Sequence, residues 1–567
     1  MDNFDLSIFT ESRAKEGASF YPSGYIRGKT RYIFITGGVM SGIGKGVFSG
    51  SLCSLLVSYG LSVSSMKCEG YLNVDSGTIN PERHGEVFVL DDGTECDLDL
   101  GSYERFLDSN LSKNNFCTTG KIFYSLLQRE RRGDFLGRDL QIIPHLTGEI
   151  QKTIRNVTLG QNLDIIVVEV GGTVGDLENA NYLEALREIA LEEGRDNVMF
   201  CHVTPLLYDQ KGEPKTKPTQ HSVSRLQASG IQPDLIVLRS SIEATDAAKN
   251  KISLFCNVPA NQVISCVDSP SIYTIPYALL RQGILGIISN VLGVTMDPSL
   301  DNIPYKEYID MVECPPKEEI KIGVCGKYDY GPDSYLSIVK ALEHCEPSLK
   351  CKVSIKWINA EDFERNPGNV NQIMSDIDAL IVPGGFGKRG IEGMIKAIQE
   401  AREKRIPFLG ICLGFQLAII EFARQVCGMS NANSTEFEAQ CELPLISLLE
   451  EQKGISAVGA TMRLGGAEVI LSPNSNCSMI YGTTNIHERF RHRYEFDRNY
   501  ESILEKNGLH VVGTNEDGQI AHVIEVVGHP YFICTQYHPE FTSRPLQPHP
   551  LFLNLCKASL MHKRAQL

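Results

Sequence analysis

The stretch Phe408 to Gln416, FLGICLGFQ, sets a cysteine between two glycines where an apolar run meets a helical pattern, LAIIEFARQV. It reads as a buried strand, a sharp turn with Cys412 at its tip, then a helix. Gly410 and Gly414 are expected to let the backbone turn tightly and leave the sulfur uncovered. A helix N-terminus favours a thiolate. Such an elbow shows a nucleophile to a carbonyl carbon. The alternative is a buried structural cysteine, and a base elsewhere in the chain would separate the two readings.

A candidate base lies near the end, in Tyr531-FICTQYHPEF. Phe532 to Gln536 reads as a short strand, followed by His538 and Glu540. Pro539 keeps the local chain extended or turning, so Glu540 can reach the same side as His538 and orient its imidazole. Alone, His-Pro-Glu also suits a surface turn. A third piece, Val382-PGGFG, ends another apolar run, and amides of such a turn suit an oxyanion hole. The three pieces together resemble the Cys-His-Glu triad of class I glutamine amidotransferases. That resemblance implies attack on the side-chain amide of glutamine, a thioester and release of ammonia. It further implies oxyanion-hole amides at Gly385 and Leu413. Gly414, Phe415, Gln416, Glu436 (in NANSTEF) and Arg493 (in RHRYEF) would complete the glutamine site.

A second chemistry stands at the other end. Arg31-YIFITGGVMSGIGKG reads as strand, glycine-rich loop and helix start. Gly37, Gly38, Gly42, Gly44 and Gly46 let backbone amides turn onto a phosphate chain, and Lys45 adds a full charge. The loop departs from a Walker A motif. One extra residue separates Gly38 from Gly44-Lys45, and Gly46 stands where Ser or Thr would hold magnesium. Carboxylates for Mg²⁺ must then come from elsewhere, and Asp75 in NVDSGT and Glu169 in VVEVGGTVGD are the candidates. Asp75 also suits an ordinary turn, whereas Glu169, closing an apolar strand, needs a partner. Lys215 and Lys217 lie two apart in GEPKTKPTQHS. Because Pro218 biases Lys217 away from the helical region, both ammonium groups are expected to point one way from an extended segment. A solvated lysine pair is the plainer reading.

GGVMSGIGKG, NVDSGT, HGEVFVLDDG, DLDLGSYERF, RERRGDFLG, VEVGGTVGD, KTKPTQHSV and KISLFCNVP, followed by the glutaminase pieces, resemble the CTP synthases from about Tyr32 to Phe552. Two places depart from the family pattern. Lys67-CEGY stands where lysine, an apolar residue and Asp-Pro-Tyr are usual, and Pro214 replaces an apolar residue. The resemblance implies ATP over Gly42, Ile43, Gly44, Lys45, Gly46 and Val47, with Mg²⁺ on Asp75 and Glu169. ATP would phosphorylate the 4-oxygen of UTP, and ammonia would displace the phosphate to give CTP. Lys67, Lys215 and Lys217 would neutralise the phosphoryl charge. Ser41, Lys215, Thr216, Lys217, Pro218, Thr219, Gln220 and Lys251 match the family's UTP site. CTP, as feedback inhibitor, would share its triphosphate part and add Asp176, Leu177 and Glu178. GTP as an allosteric activator, a homotetramer and filaments are further expectations of the resemblance.

These residues need scaffolds at both ends of a long chain. Its 567 residues allow two to four domains, and 42% apolar with 22% charged residues is ordinary for a globular protein. A net charge of −15 argues against a general nucleic-acid or membrane-surface role. Seventeen cysteines without a CxxC fit reduced thiols and a cytoplasmic setting. The N-terminus lacks the pattern of a secretory signal, and no apolar run is long enough to span a membrane. The expected division is a variable extension, 1–30, then an ATP- and UTP-binding amidoligase domain, 31–295. A polar, proline-punctuated linker, 296–319, leads to a glutaminase domain, 320–567. Both domains read as α/β, with open, mostly parallel sheets and ligands at the strand ends. Two rivals remain: a non-catalytic relative, which should have eroded Cys412, His538, Lys45 or Asp75, and an amidotransferase with another acceptor.

Overall fold

The computed structural model describes residues 21–297, 303–327, 332–366, 368, 370–448 and 462–566. The chain divides into two compact units. One comprises residues 1–75 and 102–312, the other 76–101 and 313–567.

The first unit is built on seven parallel strands: β1 (Arg31–Gly37), β2 (Val63–Glu69), β3 (Phe116–Thr118), β4 (Ile165–Val170), β5 (Val198–Pro205), β6 (Leu235–Ser240) and β7 (Val263–Val267). Their order is β7-β6-β5-β1-β4-β2-β3. Every residue of β4 and β5 is buried. Such strands are covered on both faces, which is why they read as unbroken apolar runs rather than alternating ones. From β1 the chain passes through helix α1 (Lys45–Ser58) to strands on one side, while β5 lies on the other. The C-terminal end of β1 is therefore a switch point, where open α/β sheets leave a crevice for ligands. Helix α2 (Lys217–Ala228) follows β5.

Two sequence expectations change here. Of the extension, residues 1–20 lie outside the described residues, but 21–30 belong to the fold. The guanidinium of Arg155 lies 4.3 Å from the Tyr21 ring centre and 5.4 Å from that of Tyr25. Tyr25 and Tyr32 share a 2.7 Å hydrogen bond. Arg155 is itself fully buried and pairs with Glu192 and Glu193 at 2.8 and 2.7 Å. The linker is also partly structured. Residues 298–302 lie outside the described residues, but Lys306–Glu313 form helix α3. Tyr305 and Tyr308 bury their rings against Phe106 and Tyr273. A polar composition concealed two aromatic anchors.

The second unit is built on a nine-stranded sheet: β8 (Glu319–Gly326), β9 (Lys352–Asn359), β10 (Ala379–Val382), β11 (Phe408–Ile411), β12 (Arg463–Leu471), β13 (Asn485–His492), β14 (Leu509–Thr514), β15 (Ala521–Val526) and β16 (Phe532–Thr535). Their order is β9-β8-β10-β11-β16-β15-β14-β12-β13. From β9 to β16 the pairs are parallel, and from β16 onward they are antiparallel. The sequence reading of a mostly parallel sheet holds for the half that carries the chemistry. Residues 76–101 join this unit through a short hairpin, Phe88–Val89 with Glu95–Cys96. Phe88 packs edge-on against Phe541 at 5.0 Å, and Arg491 pairs with Glu95 at 2.9 Å.

Candidate active sites

Three adjacent parallel strands deliver the glutaminase pieces. β10 ends at Val382 and releases the PGGFG turn. β11, beside it, ends at Ile411 and releases Cys412. β16, on the other flank, ends at Thr535 and releases His538 and Glu540. The pleated ladder thus brings together residues more than 120 positions apart in sequence, since Cys412 N–H donates to Thr535 O at 2.7 Å.

Cys412 occupies φ 52°, ψ −95°, immediately before helix α4 (Leu413–Gln425). A non-glycine residue there is strained. The sequence expectation placed the turn's freedom in its two glycines, and the structure corrects this. Neither glycine has a positive φ. Both are small because chain segments approach them. A Cβ on Gly410 would lie 2.9 Å from Cys534 Sγ and from the Gly414 backbone, and one on Gly414 would lie 2.1 Å from Val382 O. The glycines let the helix sit down on the sheet, and the cysteine bears the strain.

His538 Nδ1 and Glu540 Oε1 are 2.7 Å apart. Proline after the histidine starts a single 3₁₀ turn, Pro539–Phe541, which brings the carboxylate back beneath the ring. Phe541 stacks on the imidazole at 4.9 Å and 9°. Burial alone pushes the His538 imidazole down, but Glu540 and Cys412 outweigh it and raise the group to about 10. The other ring nitrogen, Nε2, is buried, with no hydrogen-bond partner of good geometry among the described residues. Base and nucleophile in free enzymes are often loosely aligned in this way.

Beside the thiol lies a cleft of about 460 Å³ lined by Gly384, Gly385, Cys412, Glu436, Arg493 and His538, among others. Glu436 Oε1 accepts from the Gly387 amide at 2.7 Å, and burial raises its carboxyl. Behind the turn, the buried Lys327 donates to Phe386 O at 3.0 Å and to Gly387 O. Burial lowers that ammonium to about 8. The PGGFG turn is thus held from both sides. Gly385, Glu436 and Arg493 line the cleft. Leu413 begins α4, while Gly414, Phe415 and Gln416 are buried behind the sulfur. Gln416 is committed to Tyr494 O and Gln536, each at 3.1 Å. Gly384, Lys327 and Gln536 were not picked out from the sequence. Gly384, inside VPGGFG, and Gln536, inside TQYHPEF, lay within recognised signals, whereas Lys327 did not.

In the first unit the glycine-rich loop leaves β1 at the switch point. Gly42 and Gly44 take φ 68° and 93°, so here the turn does need glycine. Gly38 is small for another reason, since its Cβ would lie 1.5 Å from Ser222 Oγ. Lys45, though charged, is buried and donates to Gly172 O at 2.7 Å. His202, inside β5, bonds Thr36 at 2.8 Å and Ser222 at 2.7 Å. Burial first, and the Lys45 charge second, lower it to about 3. It is a neutral brace beneath the loop. Arg239 donates to Ile43 O at 3.1 Å and pairs with Asp268 at 2.6 Å. Both residues escaped sequence reading because each sits singly within an otherwise largely apolar strand.

Glu169 does have the partners that burial requires. Lys67 pairs with its Oε1 at 2.7 Å, and Ser49 donates to Oε2 at 2.9 Å, as does Tyr103. Lys67 also meets Glu69, at a departure from the family pattern, at 3.3 Å. Asp75 is half-buried in the turn after β2. Among the described residues no group of three or more His, Cys, Asp or Glu side chains forms a metal cage.

The lysine loop differs from expectation. Lys217 is the first residue of α2, not part of an extended segment. Pro218 is tolerated in the first helical turn, where its missing N–H has no partner to lose. Lys215 pairs with Asp209 at 2.9 Å and Glu213 at 2.7 Å, whereas Lys217 Nζ lies 5.5 Å from the Phe255 ring centre. The two ammonium groups are therefore separately engaged. Thr216, Thr219 and Gln220 are buried. Thr219 donates to Pro205 O at 3.1 Å, and Gln220 to Thr216 at 3.0 Å. Ser41, Lys251, Leu177 and Glu178 are exposed, and Asp176 accepts from the Thr173 amide and hydroxyl at 2.9 and 2.8 Å.

Comparison with known proteins joins the two sites. Residues 31–294 match the family profile of the CTP synthase N-terminus, and residues 331–558 that of class-I glutamine amidotransferases. The CTP synthase of Methanococcus maripaludis is 49% identical over 535 residues, 94% of this chain and 99% of its own length. That of Desulfitobacterium hafniense is 47% identical over 535 residues, 94% of this chain and 100% of its own. A solved glutaminase domain of Trypanosoma brucei CTPS with bound acivicin is 32% identical, covering 43% of this chain and 94% of that one, with a TM-score of 0.41. With relatives this similar along nearly their whole length, the chain belongs to the CTP synthase family, enzymes that use glutamine nitrogen to convert UTP to CTP in pyrimidine nucleotide synthesis.

Proposed function

We propose the following division of labour between the two sites. In the glutaminase unit, Cys412 attacks the side-chain carbonyl of glutamine. Amides of Gly385 and Leu413 receive the developing oxyanion. His538 passes the thiol proton to the departing nitrogen, ammonia leaves, and water then releases glutamate from the thioester. Glu540 keeps the ring oriented and stabilises its charged form, while Glu436 and Arg493 hold the head group of the substrate. The observation that carries this reading is the strained Cys412 beside the His538–Glu540 pair, bonded at 2.7 Å, in one cleft.

In the first unit the glycine loop and Lys45 hold the ATP phosphates. The γ-phosphoryl passes to the 4-oxygen of UTP, and ammonia then attacks carbon 4 and expels phosphate. Lys67, Lys215 and Lys217 offset phosphoryl charge, with Ser41, residues 215–220 and Lys251 on UTP. Glu169 suits one carboxylate of a Mg²⁺ site, because magnesium takes one or two carboxylates and fills its shell with phosphate oxygens and water. Its oxygens already face a cation, Lys67, so the pocket is built for positive charge. Asp75 is the second carboxylate of this reading. Bound Mg²⁺ would supply charge neutralisation at the phosphoryl oxygens. CTP sharing the triphosphate site with Asp176, Leu177 and Glu178, activation by GTP, a homotetramer, filaments and a cytoplasmic location complete the proposal. The seventeen free thiols support that location. Product analysis with ATP, Mg²⁺ and UTP tests the division: CTP should form with either glutamine or ammonium as donor, and glutamate only with glutamine. CTP from glutamine but not from ammonium would overturn it.

A further inference from the structure

We infer that Gln536 is a positioning residue for the glutaminase reaction, donating a hydrogen bond that holds the Cys412 sulfur and favours its thiolate. Gln536 is fully buried, and its Nε2 lies 3.6 Å from Cys412 Sγ. A glutamine amide has two faces, so the orientation must come from its neighbours. Tyr494 O can only accept. It therefore fixes the amide nitrogen of Gln416, which donates to it at 3.1 Å. The second hydrogen of that nitrogen goes to Gln536, again at 3.1 Å, so Gln536 must present its oxygen there. Its own N–H is then turned on the sulfur.

Cys412 Sγ also lies 3.5 Å from Arg491 O. A carbonyl accepts from a thiol but has nothing to give a thiolate. Gln536 has the opposite preference, since a donor binds an anion more strongly than a neutral sulfur. The backbone holds this arrangement, because Gln536 N–H donates to His522 O at 2.8 Å and Thr535 O receives the Cys412 amide at 2.7 Å. A purely structural role would need only the bond to Gln416, and that difference can be tested.

The inference rests on Cys412 as nucleophile. Gln536→Glu keeps shape and volume and can still accept from Gln416, but offers oxygen, not N–H, to the sulfur. Gln536→Leu removes both bonds. Two readouts decide. One is kcat and KM for glutamine. The other is the pH midpoint of Cys412 alkylation by iodoacetamide, with the modified peptide identified by mass. Both variants should lose roughly 10- to 100-fold in kcat, the range for a hydrogen bond to a charged group, with little change in KM. The alkylation midpoint should rise by about one unit or more, furthest in Gln536→Glu. Gln536→Glu with the wild-type midpoint and kcat overturns the inference, and should Gln536→Leu fail to fold, Gln536→Glu still decides. Failure of the nucleophile assignment looks different, since Cys412→Ala would then retain glutamine turnover.

Discussion

Gly384 faces His538 so closely that a Cβ there would fall 2.8 Å from the imidazole Cε1 and 3.5 Å from Cys412 Cβ. The ring of the base is thus shelved on a bare stretch of backbone. Gly384→Ala should push His538 away from the sulfur while leaving the rest of the chain in place. A displacement near 1 Å at a reacting group costs on the order of 100-fold. Glutamine-dependent CTP formation should fall by about that factor, with ammonium-dependent formation preserved. Equal loss of both, or of neither, would show that the imidazole does not need this shelf.

The His538–Glu540 pair predicts a pH dependence of stability. Folded His538 is raised to about 10 from an ordinary 6.5, against the effect of burial, by Glu540 and Cys412. A raised folded value means that folding takes up a proton. The stabilisation is complete below about pH 6.5 and is lost as pH rises toward 10. Glu540→Gln removes the main source of the rise. The stability gap between wild type and this variant, read from denaturant midpoints, should narrow steadily from pH 6.5 to 9.5. A constant gap would contradict the pairing.

Lys67 and Glu169 form a pair with side chains only 5% and 1% exposed. Removing one partner from such a pair leaves a buried charge and costs about 3–5 kcal/mol, whereas replacing both can be nearly neutral. Lys67→Met should lower the melting midpoint clearly, and the double variant Lys67→Met/Glu169→Gln should recover much of the loss. Neither should make CTP from ammonium or glutamine, because both side chains belong to the proposed phosphoryl site. Recovery of activity along with stability would reduce the pair to a structural role.

The glutaminase pieces were legible because each is a short local signal: GICLG at an elbow, His-Pro-Glu after a strand. What remained hidden was set by contacts across the sheet. Nothing local says that Gly410 is small because α4 approaches it, or that Gly384 underlies a ring carried by β16. Pro218 was read through its usual effect on the preceding residue. That effect yielded to the tolerance of a first helical turn, which moved Lys217 into α2. Tyr305 and Tyr308 were lost in a polar segment because two aromatics three apart are a weak signal until Phe106 and Tyr273 are found opposite them. His202 and Arg239 brace the surroundings of the glycine-rich loop from within β5 and β6, a placement that only strand order reveals.

Cys412→Ala should separate the two activities of the chain. In the proposed division the sulfur is needed only to free nitrogen from glutamine, and it takes no part in phosphorylating UTP or in the attack at carbon 4. Alanine removes one sulfur atom from a residue that lines an open cleft, so the fold should be little affected. It also keeps the strained φ of 52°, with no new bulk to move His538. Glutamine-dependent CTP formation should drop by several orders of magnitude, on the order of the losses seen when a catalytic nucleophile is deleted. Formation from ammonium chloride should continue, and should increase with pH as free ammonia increases. His538→Ala should behave in the same way. Lys217→Ala, at the start of α2 in the other unit, should lose synthesis from both donors. Parallel rate measurements with glutamine and ammonium on the three variants check this. If Cys412→Ala still consumes glutamine, or loses the ammonium reaction as completely as Lys217→Ala, the two sites do not divide the work as proposed.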